Sequence, residues 1–235
     1  MGVLYNSRIV TDGLVLCLDA GDRMSYPGAG TTWYDLSKNK NNGTLTNGPT
    51  FNSANGGSVV FDGSDDYMSF LYNSSYNIGN RNITLSSWVK ATSLVSSLHG
   101  GGIITRDSGS NDGLYEILLV STSSKNWVYF RMFNITNYSP KIIPIELNIF
   151  YNITCVYDNG TMRNYVNGVQ EGSGSIKNID LTTSSSTTLR IGNRISDESA
   201  GFPGRISQVS IYNRALTTAE IQQNYNALKG RYGLT

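Results

Sequence analysis

One predicted β-hairpin places an acid, an aromatic ring and a base on the same face of a sheet. Residues 114–120 and 127–133 alternate in polarity and are joined by the polar loop STSSKN. Symmetric closure of this hairpin pairs Glu116 with Arg131 and brings Tyr129 onto the same face, because directly paired residues share a face. The other face is apolar, which predicts that it belongs to the core.

This face has the residue types that bind carbohydrate. An aromatic ring stacks on the C–H-rich side of a pyranose, and planar charged groups hydrogen-bond to the sugar hydroxyls. Trp127 is a further stacking candidate or a rim residue that covers the sheet edge. The alternative interpretation is a cross-strand ion pair beside an ordinary surface tyrosine. The candidate glycan-binding residues are Glu116, Trp127, Tyr129 and Arg131.

Aspartates in two Gly-rich loop regions are candidate calcium ligands. Ca²⁺ takes carboxylate and carbonyl oxygens, and irregular loops supply both. In the alternative interpretation, these short acidic side chains form Asx-turns with their own backbone. The candidate ligands are Asp19, Asp22 and Asp35 in the N-terminal region and Asp62, which precedes Asp65 and Asp66 in the segment FDGSDDY.

The acidic residues do not follow a glycosidase pattern. A glycosidase needs two carboxylates that face the same sugar bond, and on one strand face this means a spacing of two residues, as in Glu-x-Asp-x-x-Glu. No glutamate of this chain has an acidic residue two positions later, and His99 is the only histidine. The sequence therefore predicts a protein that is not an enzyme. The five glutamates are Glu116, Glu146, Glu171, Glu198 and Glu220.

The charge balance argues against a nucleic-acid partner. The 235 residues include 18 Lys+Arg and 17 Asp+Glu, a formal net charge of +1, and only 15% of them are charged. A nucleic-acid surface needs a field of positive charge that releases counterions. The longest apolar runs, such as Ile117–Val120, are far shorter than the roughly 20 residues of a membrane-spanning helix, so no membrane insertion is expected.

The two cysteines do not form a disulfide framework. Cys17 and Cys155 both lie in apolar runs that are typical of strands, and unpaired buried thiols are the predicted state.

Segments of period two separated by Gly/Asn turns dominate the chain, and this pattern predicts a two-sheet sandwich. The Asn159-Gly160 and Asn167-Gly168 pairs predict two type I′ hairpin turns, with Tyr157 facing Met162 across the first. The predicted strands are 13–19, 58–61, 67–70, 83–90, 102–105, 114–120, 127–133, 150–158, 162–166, 187–191 and 205–212.

One helix is predicted near the C-terminus. Thr217 and Glu220 form a capping box, Leu216 and Ile221 occupy the staple positions, and Gly230 is expected to end the helix. No composition shift divides the chain. We therefore predict one domain over 13–235, preceded by residues 1–12 as an arm or a ragged first strand.

Six segments, in their usual order, resemble the laminin-G-like, concanavalin A-like jelly-roll domains. The resemblance implies two curved antiparallel sheets, frequent structural calcium, and sugar binding at one sheet and the adjacent loops. Where relatives often have Asp-Glu before the last strand, this chain has Ser207-Gln208, so a calcium site there is lost or moved. The segments are residues 13–51, GGSVVFDGSDDYM, ITLSSWVKAT, YDNGTMRNYVNGV, LRIGNR and GRISQVSIYNRALTTAEIQQNY.

Two functions follow as expectations. The first is a non-catalytic structural protein of a phage virion, a capsid decoration or tail appendage that adheres to cell-surface glycans. Its motivation is a chain that starts at Met1, lacks an export signal and is almost entirely one jelly roll. Its partners would be other virion proteins, and it would be assembled in the host cytoplasm. The alternative is a carbohydrate-binding module of an extracellular or cell-surface bacterial protein. Homo-oligomer formation stays open.

Overall fold

Two antiparallel sheets pack face to face, as the period-two pattern predicts. The computed structural model describes residues 8–76, 82–95, 100–107, 115–122, 125–132, 143–175, 188–194 and 201–235. These residues contain sixteen strands, divided equally between two eight-stranded sheets, and one α-helix near the C-terminus. The prediction of an all-β sandwich with one short C-terminal helix is confirmed.

The first sheet contains the central long strands of the chain. β1 (Leu14–Asp19) pairs with β16 on the same side as β5. The other seven strands of this sheet are, in spatial order, β14 (Val169–Ser175), β13 (Thr161–Val166), β12 (Tyr151–Asp158), β7 (Asn82–Ala91), β16 (Pro203–Tyr212), β5 (Ser58–Asp62) and β4 (Thr50–Asn52).

The second sheet carries the hairpin of the predicted glycan site. Its strands are, in spatial order, β11 (Ile143–Ile145), β10 (Asn126–Met132), β9 (Tyr115–Ser121), β8 (Gly101–Asp107), β15 (Thr188–Ile191), β6 (Tyr67–Phe70), β3 (Gly43–Thr46) and β2 (Thr32–Trp33).

The predicted hairpin registers are confirmed. Tyr157 faces Met162 across the turn at residues 159–160, and Asn159 and Gly160 both have positive φ, 43° and 95°. Such a turn matches the right-handed twist of the flanking strands. In the second sheet, Glu116 faces Arg131 as predicted. Leu114, Phe133, Thr187 and part of the connecting loop lie outside the described residues.

Five strands are absent from the predicted set, although the predicted hairpin turn at Asn167-Gly168 implies one of them, β14. Four of them have only two to four residues, which is too short for a clear alternation. The fifth, β14, contains two glycines, and glycine is depleted in strands. β4, β11 and β14 pair with the predicted strands β5, β10 and β13, whereas β2 pairs with β3, which pairs in turn with the predicted strand β6. The five are β2, β3, β4, β11 and β14.

The core is formed by the inward faces of both sheets. Leu85 and Ile211 of the first sheet and Ile117 and Phe130 of the second are fully buried in one continuous apolar cluster. Cys17 and Cys155 are free and buried, as predicted. Burial raises the pKa of the Cys17 thiol to about 12, so this thiol is protonated at neutral pH and a poor nucleophile.

The helix α1 (Thr218–Leu228) covers the outward face of the first sheet. The rings of Trp88 and Tyr232 stack with centroids 4.0 Å apart, and Tyr225 stacks on the same indole at 5.7 Å. The segment before β1 also lies against α1, because the Val10 amide donates to Asn224 Oδ1 at 2.7 Å. In the described part of the chain, no helix is long and apolar enough to cross a bilayer.

The start of α1 is predicted correctly and its end is not. Thr217 Oγ1 accepts from the Glu220 amide, and the Glu220 carboxylate accepts from the Thr217 amide, as in a capping box. Gly230 does not end the helical segment, which continues as a 3₁₀ turn over Lys229–Tyr232. This turn is held to the sheet, since Arg231 makes two hydrogen bonds with Asp19, at 2.6 and 3.0 Å.

The Glu220 carboxylate gives a pH-dependent test of the helix N-terminus. Its hydrogen bonds with Arg214 and Thr217 hold the pKa of Glu220 at about 2, below the ordinary value of 4.5. A lowered folded-state pKa stabilises the protein above pH 4.5, and that stabilisation is lost as the pH falls towards 2. At pH 7 we expect Glu220→Gln to lower the free energy of unfolding by about 1–2 kcal/mol, measured by urea denaturation.

The difference between wild type and Glu220→Gln should shrink steadily as the pH is lowered from 4.5 to 2. The control is Glu146→Gln, which alters an exposed carboxylate and should change stability by less than about 0.5 kcal/mol. A difference for Glu220→Gln that stays constant across this pH range would contradict the assignment.

Candidate functional site

A row of polar side chains crosses the outward face of the second sheet. Directly paired residues of an antiparallel sheet share a face, so the pairing register defines this row. It runs from β10 at one side to β2 at the other. Its members, in order, are Arg131, Glu116, Thr105, Arg190, Ser69, Thr44 and Thr32.

Glu116 lies beneath the surface of this face, between two arginines. Its side chain is 0% exposed, with Oε1 3.1 Å from Arg194 Nε and Oε2 3.4 Å from Arg131 Nε. Arg194 is 6% exposed and Arg131 is 25% exposed at the side chain. A buried carboxylate needs charge compensation of this kind. Glu116 therefore holds Arg131 and Arg194 in place, and its predicted part in glycan binding stays a prediction.

The segment after β15 reaches the sheet because β8 begins with glycines. A Cβ atom on Gly102 would lie 2.6 Å from the carbonyl group of Asn193, and one on Gly101 would lie 2.6 Å from the Gly201 carbonyl oxygen. The Asn193 carbonyl oxygen also accepts a 2.8 Å hydrogen bond from Thr105 Oγ1. Residues without side chains at the start of β8 thus permit the close approach that brings Arg194 to Glu116.

Trp127, Tyr129 and Arg131 follow one another on the outward face of β10. All three side chains are half-buried, so part of each is open to solvent. Trp127 lies opposite Pro144 of the edge strand β11, and its indole Nε1 donates to Thr122 Oγ1 at 3.3 Å. We call Trp127, Tyr129 and Arg131 the β10 strip.

A second aromatic group lies across the polar row from the β10 strip. The guanidinium of Arg190 lies over the Tyr67 ring, 4.1 Å from its centroid. Arg190 also donates to the Arg194 carbonyl oxygen at 3.2 Å. The outward face of the second sheet therefore has aromatic rings on both sides of the buried Glu116.

Asp35 and Asp19, two of the predicted calcium ligands, have other partners. Asp35 is 1% exposed and accepts four hydrogen bonds, three from the backbone amides of Cys17, Ser37 and Asn41 and one from Ser37 Oγ. Asp19 forms the bidentate pair with Arg231. Both carboxylates stabilise the loops around β1.

The other two calcium candidates lie in turns. Asp22 Oδ1 accepts from the Met24 amide and Asp62 Oδ1 from the Ser64 amide, both at 2.8 Å, as Asx-turns do. Asp62 also belongs to a group with Asp65 and Asp66 whose carboxylate oxygens all lie within 4.8 Å of one another.

Among the described residues, this aspartate group is where three acidic side chains converge. Asp66 is buried, and burial raises the pKa of its carboxyl group. The donor chemistry of the group fits Ca²⁺, and the structure does not bring Asp19, Asp22 or Asp35 to it. Calcium binding therefore stays a prediction for Asp62 and its two neighbours.

Ser207 and Gln208 lie within β16 and have polar partners of their own. Ser207 is fully buried, donates to the Gly57 carbonyl oxygen and accepts a 2.8 Å hydrogen bond from the Tyr232 hydroxyl. Gln208 is 4% exposed and donates to Ser210 Oγ. Ser207 thus connects β16 to the C-terminal turn, and the Gln208 contact lies within β16.

Arg194, Arg190 and Tyr67 were not predicted as site residues. Arg194 ends the segment LRIGNR, and the glycine run before β8 was the signal that another segment approaches the sheet closely. The contact of Arg194 with Glu116 joins residues 78 positions apart, which no local pattern reveals. His99 and Glu198 lie outside the described residues.

The buried Glu116 group gives a stability test. We expect Glu116→Gln to lower the free energy of unfolding by about 2–4 kcal/mol, because it removes the charge that compensates a nearly buried Arg194. The control is Asp158→Asn, which breaks a 2.7 Å pair with Arg163 whose aspartate side chain is 41% exposed. The control should cost less than about 1 kcal/mol in urea denaturation. Equal losses of unfolding free energy in the two variants would contradict a stabilising role of the buried Glu116.

Known structures share this fold. Domain 4 of AbnA, a GH43 extracellular arabinanase from Geobacillus stearothermophilus, was solved in complex with arabinotriose. It has a TM-score of 0.66 and 18% identity, over 92% of this chain and 100% of that one. The binding domain of botulinum neurotoxin DC in complex with SialylT has a TM-score of 0.69 and 18% identity, over 93% of this chain and 52% of that one.

A third structure concerns botulinum neurotoxin type C, whose cell entry depends on interaction with two ganglioside molecules. It has a TM-score of 0.70 and 20% identity, over 93% of this chain and 52% of that one. The present chain thus spans about half the length of the neurotoxin chains. At these identities the likeness shows the fold alone.

The sequence itself identifies the family. A search of curated proteins found no match. A family model described as the concanavalin A-like lectin/glucanases superfamily, a laminin-G-type model, matches residues 62–222. Since the match covers more than half of the sequence, the chain belongs to the concanavalin A-like lectin/glucanase superfamily.

Proposed function

We propose that this domain is a non-catalytic glycan-binding module and that the β10 strip is the centre of its binding surface. The single observation that carries the proposal is the succession of Trp127, Tyr129 and Arg131 on one face, each partly open to solvent. Such a succession offers two flat apolar faces and a planar hydrogen-bond donor in one line.

The spacing of the strip suits a chain of sugar rings. Alternate residues of an antiparallel strand are about 6.8 Å apart, so the two aromatic rings can contact neighbouring parts of one oligosaccharide. Aromatic rings have electron-rich faces that attract the polarised C–H groups of a sugar. Trp127 and Tyr129 therefore supply apolar contact area, and the hydrogen bonds of Arg131 orient the sugar on it.

Arg131 is held ready for a ligand hydroxyl. Its Nε atom lies against the buried Glu116, so the side chain loses less freedom on binding than an unrestrained arginine would. A guanidinium has five N–H donors in a rigid plane, a geometry that suits hydrogen bonds to sugar hydroxyls. Glu116 acts here as a positioning residue.

The surroundings of Glu116 argue against hydrolysis at this face. Glycoside hydrolysis needs carboxyl groups that reach the glycosidic oxygen and the anomeric carbon. Glu116 is fully buried, and an arginine lies at each of its two oxygens. A carboxylate in this position cannot contact a sugar on the surface.

The similar structures support the proposal, since a domain of the same fold was solved with arabinotriose and the neurotoxin domain with SialylT. These ligands belong to those proteins. For the present chain they indicate the class of molecule to test, namely oligosaccharides.

A glycan array probed with the labelled domain tests the proposal. We expect wild type to bind a defined set of glycans, and Tyr129→Ala to bind them at least about tenfold more weakly because it removes a stacking face. The matched control is Tyr34→Ala, which removes a 44% exposed tyrosine far from β10 in the pairing order and should bind like wild type.

Two results would overturn the proposal. One is a lack of binding to any glycan at millimolar sugar, both with calcium and with a chelator. The other is unchanged affinity in Tyr129→Ala, which would remove the β10 strip from the binding surface. Binding lost only with the chelator would support calcium at the aspartate group of Asp62.

A hydrolysis assay tests the non-catalytic part. The domain is incubated with each glycan that it binds, and reducing ends are quantified over days. We expect no release above the buffer rate, because the buried Glu116 cannot reach the sugar. Release that disappears in Glu116→Gln would contradict the assignment.

We also propose a setting for the module, a capsid decoration or tail appendage of a phage, with a bacterial surface or secreted protein as the alternative. The polar composition, rich in Tyr, Asn, Gly, Ser and Thr, supports an exposed surface in either setting. Mass spectrometry of purified virions from cultures that carry the gene decides between them. Peptides of this chain are expected in the virion fraction, and their presence only in the medium or cell-wall fraction would favour the alternative.

A further inference from the structure

A separate pocket of about 340 Å³ lies at one end of the sandwich. Asn126 and Ile145, which are paired at the ends of β10 and β11, line it from the second sheet. Tyr151 at the start of β12 and Leu94 after β7 line it from the first sheet. The pocket therefore opens between the two sheets, and its volume is at the lower end of the usual range for small-molecule sites, about 300–1,000 Å³.

A buried asparagine fixes one wall of this pocket. Asn126 is 1% exposed, its Nδ2 donates to the Ser93 carbonyl oxygen at 3.0 Å, and its Oδ1 accepts from Ser121 Oγ. These two hydrogen bonds tie the end of β10 to residues 93 and 121, so the buried carboxamide fixes the wall of the pocket rather than contacting a ligand itself.

The Tyr151 hydroxyl adds a directed donor. It accepts a 3.3 Å hydrogen bond from the Glu146 amide, so its own hydrogen is available for another acceptor. The ring of Tyr151 packs against the main core, which fixes the position of the hydroxyl.

The charged and apolar side chains at the rim of the pocket indicate the charge and polarity of a matching ligand. Lys125 and Glu146 both line the pocket and are exposed, and their opposite charges give no preference for an anion or a cation. Leu94 and Leu147 are 37% and 39% exposed, so each presents apolar surface that a ligand can cover. A matching ligand is small and neutral, with apolar C–H faces and a hydroxyl-bearing edge.

We propose that this pocket is a second binding site, which takes one neutral pyranose. The leucines pack on the faces of the sugar ring, and the Tyr151 hydroxyl donates a hydrogen bond to one of the sugar oxygens. The site shares no residue with the β10 strip, and its identification rests on the pocket and not on the strip.

Nuclear magnetic resonance can read both sites in one titration. The full chain, with ¹³C-labelled Leu methyl groups and ¹⁵N-labelled Trp indoles, is titrated with glucose, galactose, mannose and N-acetylglucosamine. Glucuronic acid and glucosamine serve as charged comparators. We expect saturable millimolar shifts of the Leu94 and Leu147 methyl signals with at least one neutral sugar, and weaker shifts with both charged sugars. The Trp127 indole signal reports the β10 strip separately.

Variants assign the pocket. Tyr151→Phe keeps the ring and should weaken the affinity measured at the Leu94 methyls by about three- to tenfold, with an unchanged melting temperature. Tyr129→Ala should leave it unchanged. The inference would be overturned by shifts confined to the Trp127 indole or by the lack of a saturable Leu methyl shift. Stronger binding of a charged sugar, or wild-type affinity in Tyr151→Phe, would also overturn it. Shifts confined to the leucines would support it while counting against the β10 strip.

Discussion

The buried carboxylate of Glu116 constrains much of the second sheet. A charge with no exposure to water must be compensated by the protein, and Arg131 and Arg194 provide that compensation from two different parts of the chain. Arg194 can reach Glu116 only where the backbone at Asn193 lies on β8, and that approach depends on Gly102. One buried acid thus links the β9–β10 hairpin to the segment after β15. The same link fixes Arg131 on the surface, so the stability of the sheet and the preorganisation of the proposed ligand contact have one cause.

The two outward faces of the sandwich differ in what covers them. On the first sheet, Trp88 is fully buried because Tyr225 and Tyr232 stack on it from α1 and the turn that follows. Beneath the helix, the sheet presents polar groups such as Ser86 and Thr154, which hydrogen-bond to each other at 2.8 Å. This face is occupied by the protein's own C-terminal segment. The rings of Trp127 and Tyr129 on the second sheet remain partly open to solvent, in agreement with the site proposed there.

The structure could be predicted from the sequence where the interactions that determine it are local. The Asn-Gly turns set the register of β12 and β13, and alternation set which side of the β9–β10 hairpin enters the core. The sequence was insufficient where distant segments meet. Glu116 was expected on the surface because the residue pattern of β9 contains no information about Arg194. Gly230 was expected to end the helix because the helix pattern does not encode the contacts that Arg231 and Tyr232 make with the sheet. The pocket at the end of the sandwich, which we call the end pocket, is lined by residues from both sheets, so no sequence motif could have indicated it.

Strand β10 contributes to both proposed sites, but on opposite faces. Asn126 and Trp127 are neighbours in sequence, and successive side chains of a strand point to opposite faces, so the first turns towards the end pocket and the second towards the outer surface. A single sugar ring therefore cannot contact both. If both sites bind, they hold two rings of a branched glycan or two separate chains. Two weak sites on one rigid strand raise the effective concentration of the second ring once the first is bound. The preference of such a domain would then follow the spacing of sugars on a surface more than the identity of any one sugar.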